Sequence, residues 1–491
     1  MIKLTYDPSV LIALHQAFPK PKNSAQKALD KYINLLEGLF HSSMFKRSTY
    51  AQNLKAYDIP LTPINRRGPT IKNKNNRVHR WLENNGYALV INLRPSASNL
   101  TKEHALLKPT NLLTVSNADL LGELRIMTAF ELNSYFNTLT QDWIDKVNFY
   151  QDEYLSASSS VQKAFFFTTD LDIDSVKNYM RKVVNKTVGL NRTQEASTAY
   201  QAEYILRIAQ VNNGKLHQKI DKKAFGRTYY EGLSVTNVSK ELRKAMLGDS
   251  WEYDSKSCST AWKMAFAQEW YDLKKRRKLS VTQTFNAMTW FLNDKPNFYQ
   301  HVTHHTFQHS TLTKEEKTAI LKEAMTALGF GAKLGVGKWL GMFGEEKMTS
   351  LYEVFNKDLV ALTRFVNCPI VQKFNKEQQI LNKYIVEKFS VDGQWRIDMD
   401  LERQRKKIKD DLSQAQKVVW LFQHAETKMM NIVRDELQKL GKTVLANVHD
   451  AIVVRERLTA LELLAIEHIV RTSTNVQYFA LGETKYIRYD Q

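Results

Sequence analysis

Two cysteines, Cys258 and Cys368, are all that the 491 residues contain. This shortage excludes a disulfide framework and a cysteine-ligated zinc site, and it fits an intracellular, reducing compartment. No apolar run approaches the length of a membrane span, and the opening stretch MIKLTYDPSVLIAL lacks the basic, apolar and small-residue succession of a signal peptide. The expectation is a soluble, cytoplasmic protein with no membrane partner. Acidic residues are the second shortage: 51 Asp and Glu stand against 70 Lys and Arg, for a net charge of +19. With 43% apolar and 25% charged residues, the composition excludes disordered, collagen-like and coiled-coil chains, while the length allows a large buried core.

The basic excess is local. Residues 1–100 carry 15 basic against 5 acidic side chains and residues 201–300 carry 17 against 10, whereas residues 101–200 are slightly acidic at 10 against 12. Such patches favour a polyanion, nucleic acid before membrane, because no basic helix with a clear apolar face stands out. The loop from Pro60 to Arg80 concentrates Pro, Gly, Asn and basic residues, and reads equally as a phosphate-backbone contact or a solvated loop. The run Lys274 to Lys278 reads as a solvated or phosphate-facing helix end, and Leu401 to Asp411 as a solvated helix face.

What is present includes two carboxylates in telling settings. In KTVLANVHDAIVVR, Lys442 to Arg455, two β-branched apolar runs flank His449-Asp450, the pattern of a hairpin whose turn carries a carboxylate. In DSWEYDSKSCSTAWKM, Asp254 closes an aromatic and acidic run that reads as a strand end before a helix. Two carboxylates from strands distant in sequence, able to meet on one sheet, suit a pair of Mg²⁺ ions, since hard cations take oxygen ligands and keep substrate phosphates in the same shell. The chemistry expected is phosphoryl transfer.

Three further stretches surround these. Thr313 and Glu316 form a capping box before a strong helix-forming run that Gly329, Gly331 and Gly335 stop; on it Thr318, Lys322, Thr326 and Phe330 recur every four residues and share a face. A lysine and an aromatic on one face can hold a triphosphate together with a base or sugar. Val418 to Gly441 reads as a long helix ending at glycine, with His424 near its start. Gly226-Arg227 opens a short strand containing Tyr229 and Tyr230. From Leu124 to about Ala209 the pattern is helical, and the run Asp170, Asp172, Asp174 reads as helix capping rather than a nuclease site.

Taken in order, these residues resemble the polymerase core shared by single-subunit, phage-type RNA polymerases and A-family DNA polymerases. Gly226-Arg227 resembles the Gly-Arg motif before the first catalytic strand, and Asp254 with Ser257-Cys258-Ser259 resembles motif A of the RNA-polymerase branch. Lys322 to Phe330-Gly331 is similar to motif B, Phe422-Gln423-His424 to the helix upstream of motif C, and Val448-His449-Asp450 to motif C. The resemblance covers about residues 220–455 and none of the first 200.

That resemblance implies an α+β, predominantly helical, right-hand polymerase. Its palm would be 206–268 plus 421–491, its fingers 269–420 and its thumb the helical segment 126–205, with residues 1–125 an N-terminal basic domain of unknown role. It implies that Asp254 and Asp450 hold two Mg²⁺ ions, or Mn²⁺, and that Lys322 binds the triphosphate and can protonate the leaving group. Phe330 and Thr326 would line the nucleotide site, and Arg227, His424 and His449 would position nucleic acid or the palm turn. The departures bear on substrate. The acidic sugar gate of the DNA enzymes is replaced by Ser259 or Thr260, which favours ribonucleotides; Phe330 stands where the RNA enzymes carry Tyr; and Thr318 stands where an Arg is usual, leaving Lys317 or Lys314 as substitutes. The expected function is that of a compact DNA-dependent RNA polymerase or primase of a phage or mobile element, in the host cytoplasm. Its partners would be a DNA template, an RNA product or primer, nucleoside triphosphates and an accessory protein subunit. The rival readings are a DNA polymerase of a mobile element and a catalytically inactive nucleic-acid-binding replication protein.

Overall fold

The β-branched and aromatic stretches Ser250–Ser255, Val444–Val448, Ala451–Val454 and Leu481–Tyr486 form a four-stranded antiparallel sheet. Across it the order is 444–448, 451–454, 250–255, 481–486, so the hairpin lies directly against the strand that carries Asp254. Every residue of Ala451–Val454 is buried. Successive side chains of a strand point to opposite faces, and accordingly Ala451 and Val453 enter one hydrophobic core while Ile452 and Val454 enter another. The continuous apolar run AIVV thus reflects a strand covered on both faces.

The computed structural model describes residues 2–490 except 20–21, 45–54, 61–68, 72–76, 94–103, 117–119, 188–191, 222, 224, 274–279, 309, 341–345, 392, 406–407 and 409–411. The basic run 274–278 and much of the Pro60–Arg80 loop therefore lie outside the described residues. The architecture is predominantly helical with small sheets, an α+β class. Among the described residues no helix is long and apolar enough to cross a membrane.

One core joins the N-terminal helices Pro8–Ala17 and Lys22–Met44 to the helices Ile173–Val184, Arg192–Val211 and Lys240–Leu247, and runs on to Leu445 and Tyr486 of the sheet. Hydrophobic packing is therefore continuous from the first 125 residues into the helical segment after them. Beside it, the strands Phe166–Asp170, Lys215–Asp221 and Tyr229–Tyr230 make a three-stranded sheet. Asp172 caps the helix Ile173–Val184 by accepting from the Ser175 N–H at 2.9 Å and Asp174 sits in its first turn, as their spacing suggested, whereas Asp170 ends the strand Phe166–Asp170.

The second core gathers the helices from Cys258–Met264 to Ala460–Thr474 on the other face of the four-stranded sheet. The helix Lys314–Gly329 begins at the Thr313/Glu316 capping box and ends at Phe330, with Gly331 at φ +88° just beyond. The long helix Gln414–Lys439 buries Phe422, Met429, Met430 and Val433, and is followed by Gly441 at φ +70°, a left-handed conformation that glycine adopts without steric cost.

Candidate active site

The site is built at one end of the four-stranded sheet. Val448 pairs with Ala451, which leaves His449 and Asp450 as a two-residue turn, with His449 in the left-handed region at φ +54°. Ala451 in turn pairs with Asp254, and the Ser255 N–H donates to the Asp450 carbonyl at 2.9 Å. The two carboxylate-bearing residues are thereby fixed at the same edge of neighbouring strands. Burial raises the Asp254 pKa, and the negative charges of Glu252 and Asp450 raise it further. A carboxylate whose ionisation is opposed by burial and neighbouring negative charge is a donor that a divalent cation relieves. Among the described residues no group of three or more His, Cys, Asp or Glu is gathered for a metal. Asp254 and Asp450 thus fit Mg²⁺ on condition that substrate oxygens and water complete the shell.

On the other side of Asp254, Gly482 is its pairing partner in the strand Leu481–Tyr486. A Cβ at Gly482 would lie 2.6 Å from Asp254 Oδ1 and 3.1 Å from Lys256 Cε. Here the strand needs glycine because a carboxylate occupies the space a methyl would take.

A cavity of about 530 Å³ opens over these carboxylates, and six of the residues expected from sequence line it: Arg227, Asp254, Lys322, Thr326, Phe330 and Asp450. Ser259 and Thr260 are also on its wall, beside the Asp254 strand. Lys322 and Thr326 are exposed, whereas Phe330 is half-buried with its ring 5.6 Å from that of Phe422. Three of the expected residues are not on this wall. Lys317 is turned away, with its ammonium donating to the Ser310 carbonyl at 3.2 Å. His424 stacks on Phe225 at 4.2 Å and meets Trp395 edge-on at 4.7 Å. Its Nδ1 accepts from the Gly226 N–H at 3.4 Å, and burial pushes its pKa down to about 4, so a neutral ring braces the Gly226-Arg227 loop. His449 packs against Tyr229 with ring centroids 5.3 Å apart, and burial lowers its pKa, with Arg227 adding to the effect.

The cavity also holds groups that the sequence reading missed. Lys295, at the start of the helix Lys295–Thr306, donates to Ser257 Oγ at 2.7 Å. Burial lowers its pKa, and repulsion from Lys322 and Lys256 adds to this against attraction from Asp254. Lys256, Lys295 and Lys322 therefore place three ammonium groups on one wall. Glu426, only 2% exposed, accepts from Arg227 Nε at 2.7 Å. Burial pushes the Glu426 pKa up to about 7, Arg227 opposing and the Asp450 charge adding to the rise. Glu426 was visible only as the residue one helical turn after Phe422.

Below the cavity, Lys263 is fully buried and donates to Gln378 Oε1 at 2.8 Å and to the Gly329 carbonyl. Burial pushes its pKa down to about 7. This amine ties the end of the Lys322 helix to the helix Cys258–Met264 that follows Asp254. The Cys258 thiol beside it is raised well above its ordinary range by burial, which makes it a packing residue and a poor nucleophile.

Comparison with protein-family models and with curated proteins finds no match to this chain.

Proposed function

We propose that this chain is a template-directed nucleotidyltransferase, a compact DNA-dependent RNA polymerase or primase of a phage or mobile element. The observation that carries the reading is the convergence of Arg227, Asp254, Lys322, Phe330 and Asp450, spread over more than two hundred residues of sequence, on one cavity with two carboxylates at its base and three lysines on its wall. A cation-lined pocket over a carboxylate pair suits a nucleoside triphosphate better than a neutral or cationic substrate.

In this reading the four-stranded sheet is the palm, 269–420 the fingers and 126–205 the thumb. Asp254 and Asp450 would hold Mg²⁺, or Mn²⁺, which supplies charge neutralisation at the phosphates and a more acidic 3′-hydroxyl. Lys322 and Lys295 bind the triphosphate, and Lys322 donates the proton that the leaving pyrophosphate needs. Arg227, held in place by Glu426, faces the phosphates of the strand end. Phe330 packs against the base and ribose, and neither Ser259 nor Thr260 sets an acidic barrier to a 2′-hydroxyl. The DNA template, the RNA product or primer, and an accessory subunit belong to the same proposal, as does a cytoplasmic location.

A primer-extension assay tests it, run with and without primer and with ribo- or deoxynucleotides on one DNA template. Incorporation of ribonucleotides that requires a divalent cation and both carboxylates is expected. Preferential deoxynucleotide incorporation would make the chain a DNA polymerase, and nucleic-acid binding with no incorporation under any condition would make it an inactive replication protein.

A further inference from the structure

A second, larger cavity lies away from the carboxylates. It measures about 640 Å³ and is walled by the helices Lys22–Met44, Gln141–Ser156 and Arg192–Val211 and by the sheet that contains Phe166–Asp170 and Lys215–Asp221. That volume is in the range of about 300–1,000 Å³ typical of small-molecule sites. We propose that it binds an unpaired adenine base.

The wall has the two features that base recognition needs, flat apolar rings and an amide edge. Tyr154 and His217 lie stacked with centroids 3.5 Å apart and planes 10° from parallel, and Phe166 meets Tyr154 edge-on at 5.2 Å. His217 is also bonded through Nδ1 to Thr168 Oγ1 at 2.9 Å, and burial pushes its pKa down to about 4, so the stack is uncharged at neutral pH. The two rings cover each other's inner faces, and since both line the cavity a base would stack on an outer face of the pair. Gln151 supplies the edge. It is 7% exposed, and its side-chain oxygen is buried without a hydrogen-bond donor. A buried acceptor left unpaired is costly, and a ligand N–H would satisfy it. A Gln amide is complementary to adenine, accepting from the N6 amine while donating to N7.

Charge argues for a base rather than an anion. Lys219, on this wall, is clamped between Glu153 at 2.8 Å and Glu231 at 3.2 Å, so its ammonium is already neutralised. A phosphate or carboxylate would find acidic neighbours there. The three-stranded sheet that walls the cavity also contacts the hairpin that carries Asp450. Tyr230 lines the cavity while its neighbour Tyr229 packs on His449, and Thr169 Oγ1 donates to the Leu445 carbonyl at 2.9 Å. A base seated here therefore rests on a sheet whose other contacts reach the turn that carries Asp450.

The adenine could belong to a free nucleoside or to a single strand, and calorimetric titration of the full chain distinguishes the two. Saturable binding of adenosine is expected, with weaker binding of purine riboside, which lacks the 6-amino group. Gln151→Leu, close to isosteric, should weaken adenosine binding by about two- to tenfold, the worth of one hydrogen bond. Competition between adenosine and single-stranded oligo(dA) would identify a strand base as the occupant, and adenosine binding without competition a free nucleoside; either supports the site. The purine riboside comparison uses the unmodified protein, so it stands even if the variant folds poorly. Equal affinity for the two nucleosides, no saturable binding, or binding lost in Asp254→Ala but unchanged in Gln151→Leu would overturn the proposal. No triphosphate, metal or nucleotide addition enters the measurement, so failure here and failure of the polymerase reading are separate results.

Discussion

Gly482→Ala is the sharpest test of how the carboxylate pair is held. The added methyl would sit 2.6 Å from Asp254 Oδ1, closer than such atoms approach, so the carboxylate must swing aside or the strand Leu481–Tyr486 must shift. Overpacking of this kind costs about 1–3 kcal/mol. Against it, replacing a strand glycine by alanine gains about 0.5–1 kcal/mol from reduced freedom of the unfolded chain. The single variant should therefore be less stable than the parent by up to about 2.5 kcal/mol, the difference of those two ranges. In an Asp254→Ala background the obstructing oxygen is gone, and the same change should become neutral or stabilising. Urea unfolding of the four proteins gives a double-mutant cycle whose coupling should be about 1–3 kcal/mol. In the primer-extension assay, a carboxylate displaced by about an ångström should slow nucleotide addition by about a hundredfold. Additive stabilities together with undiminished incorporation would refute the reasoning, since the methyl would then have found room beside Asp254.

Asp254→Ala and Asp450→Ala should each abolish nucleotide addition while gel-shift affinity for nucleic acid stays close to that of the parent; loss of both in step would detach the carboxylates from catalysis. Lys322→Ala and Lys295→Ala should each raise the KM for nucleotide, and Lys322→Ala should also lower kcat, because its charge contact strengthens as pyrophosphate departs; steady-state kinetics at fixed template separate the two. Lys263 is pushed from 10.5 to about 7 by burial, so between these values the unfolded chain binds more protons than the folded one and stability should rise with pH, by up to about 1.4 kcal/mol per unit, and be lost as pH falls through 7. Denaturation of Lys263→Met across that window should show this slope removed. Phe330→Tyr adds one hydroxyl at the sugar side, and competition between ribo- and deoxynucleoside triphosphates should shift towards the ribonucleotide by about two- to tenfold; an unaltered ratio would place sugar sensing elsewhere.

Local chemistry made much of this molecule legible. The His449-Asp450 turn, the Thr313/Glu316 capping box, the strand ending at Asp254 and the glycine after Lys439 each carry their signal within a few residues, and each is formed as read. What the sequence leaves open needs distance information. Lys317 or Lys314 stands in for an arginine because Thr318 holds its position, yet Lys317 is bonded to Ser310, and Lys295 from a different helix lines the cavity wall. His424 and His449 read as positioning nucleic acid or the palm turn, and only distance supplies the rings they pack against, Phe225 and Trp395 for the first and Tyr229 for the second. Gly482 did leave a trace, since glycine inside a strand often marks a close approach, but nothing local says to what.

Strand register brings the two acidic positions to one end of the sheet, and the apolar pattern alone does not set it. A one-residue slip normally carries a buried side chain to the solvent face and is thereby prevented. In Ala451–Val454 both faces are buried, so a slip would exchange one apolar environment for the other, Ala451 and Val453 for Ile452 and Val454. Size and the ends of the strand must do the rest. The two-residue turn anchors Val448 to Ala451, the Ser255 N–H is used by the Asp450 carbonyl, and Gly482 leaves space for a carboxylate only where Asp254 stands opposite. Shifted by one position, the central strand would present Tyr253 or Ser255 to Gly482 and turn the Asp254 side chain to the far face of the sheet. The glycine in the edge strand and the carboxylate in the central strand thus specify each other, and the placement of Asp254 beside the Asp450 turn depends on a residue more than two hundred positions away from Asp254.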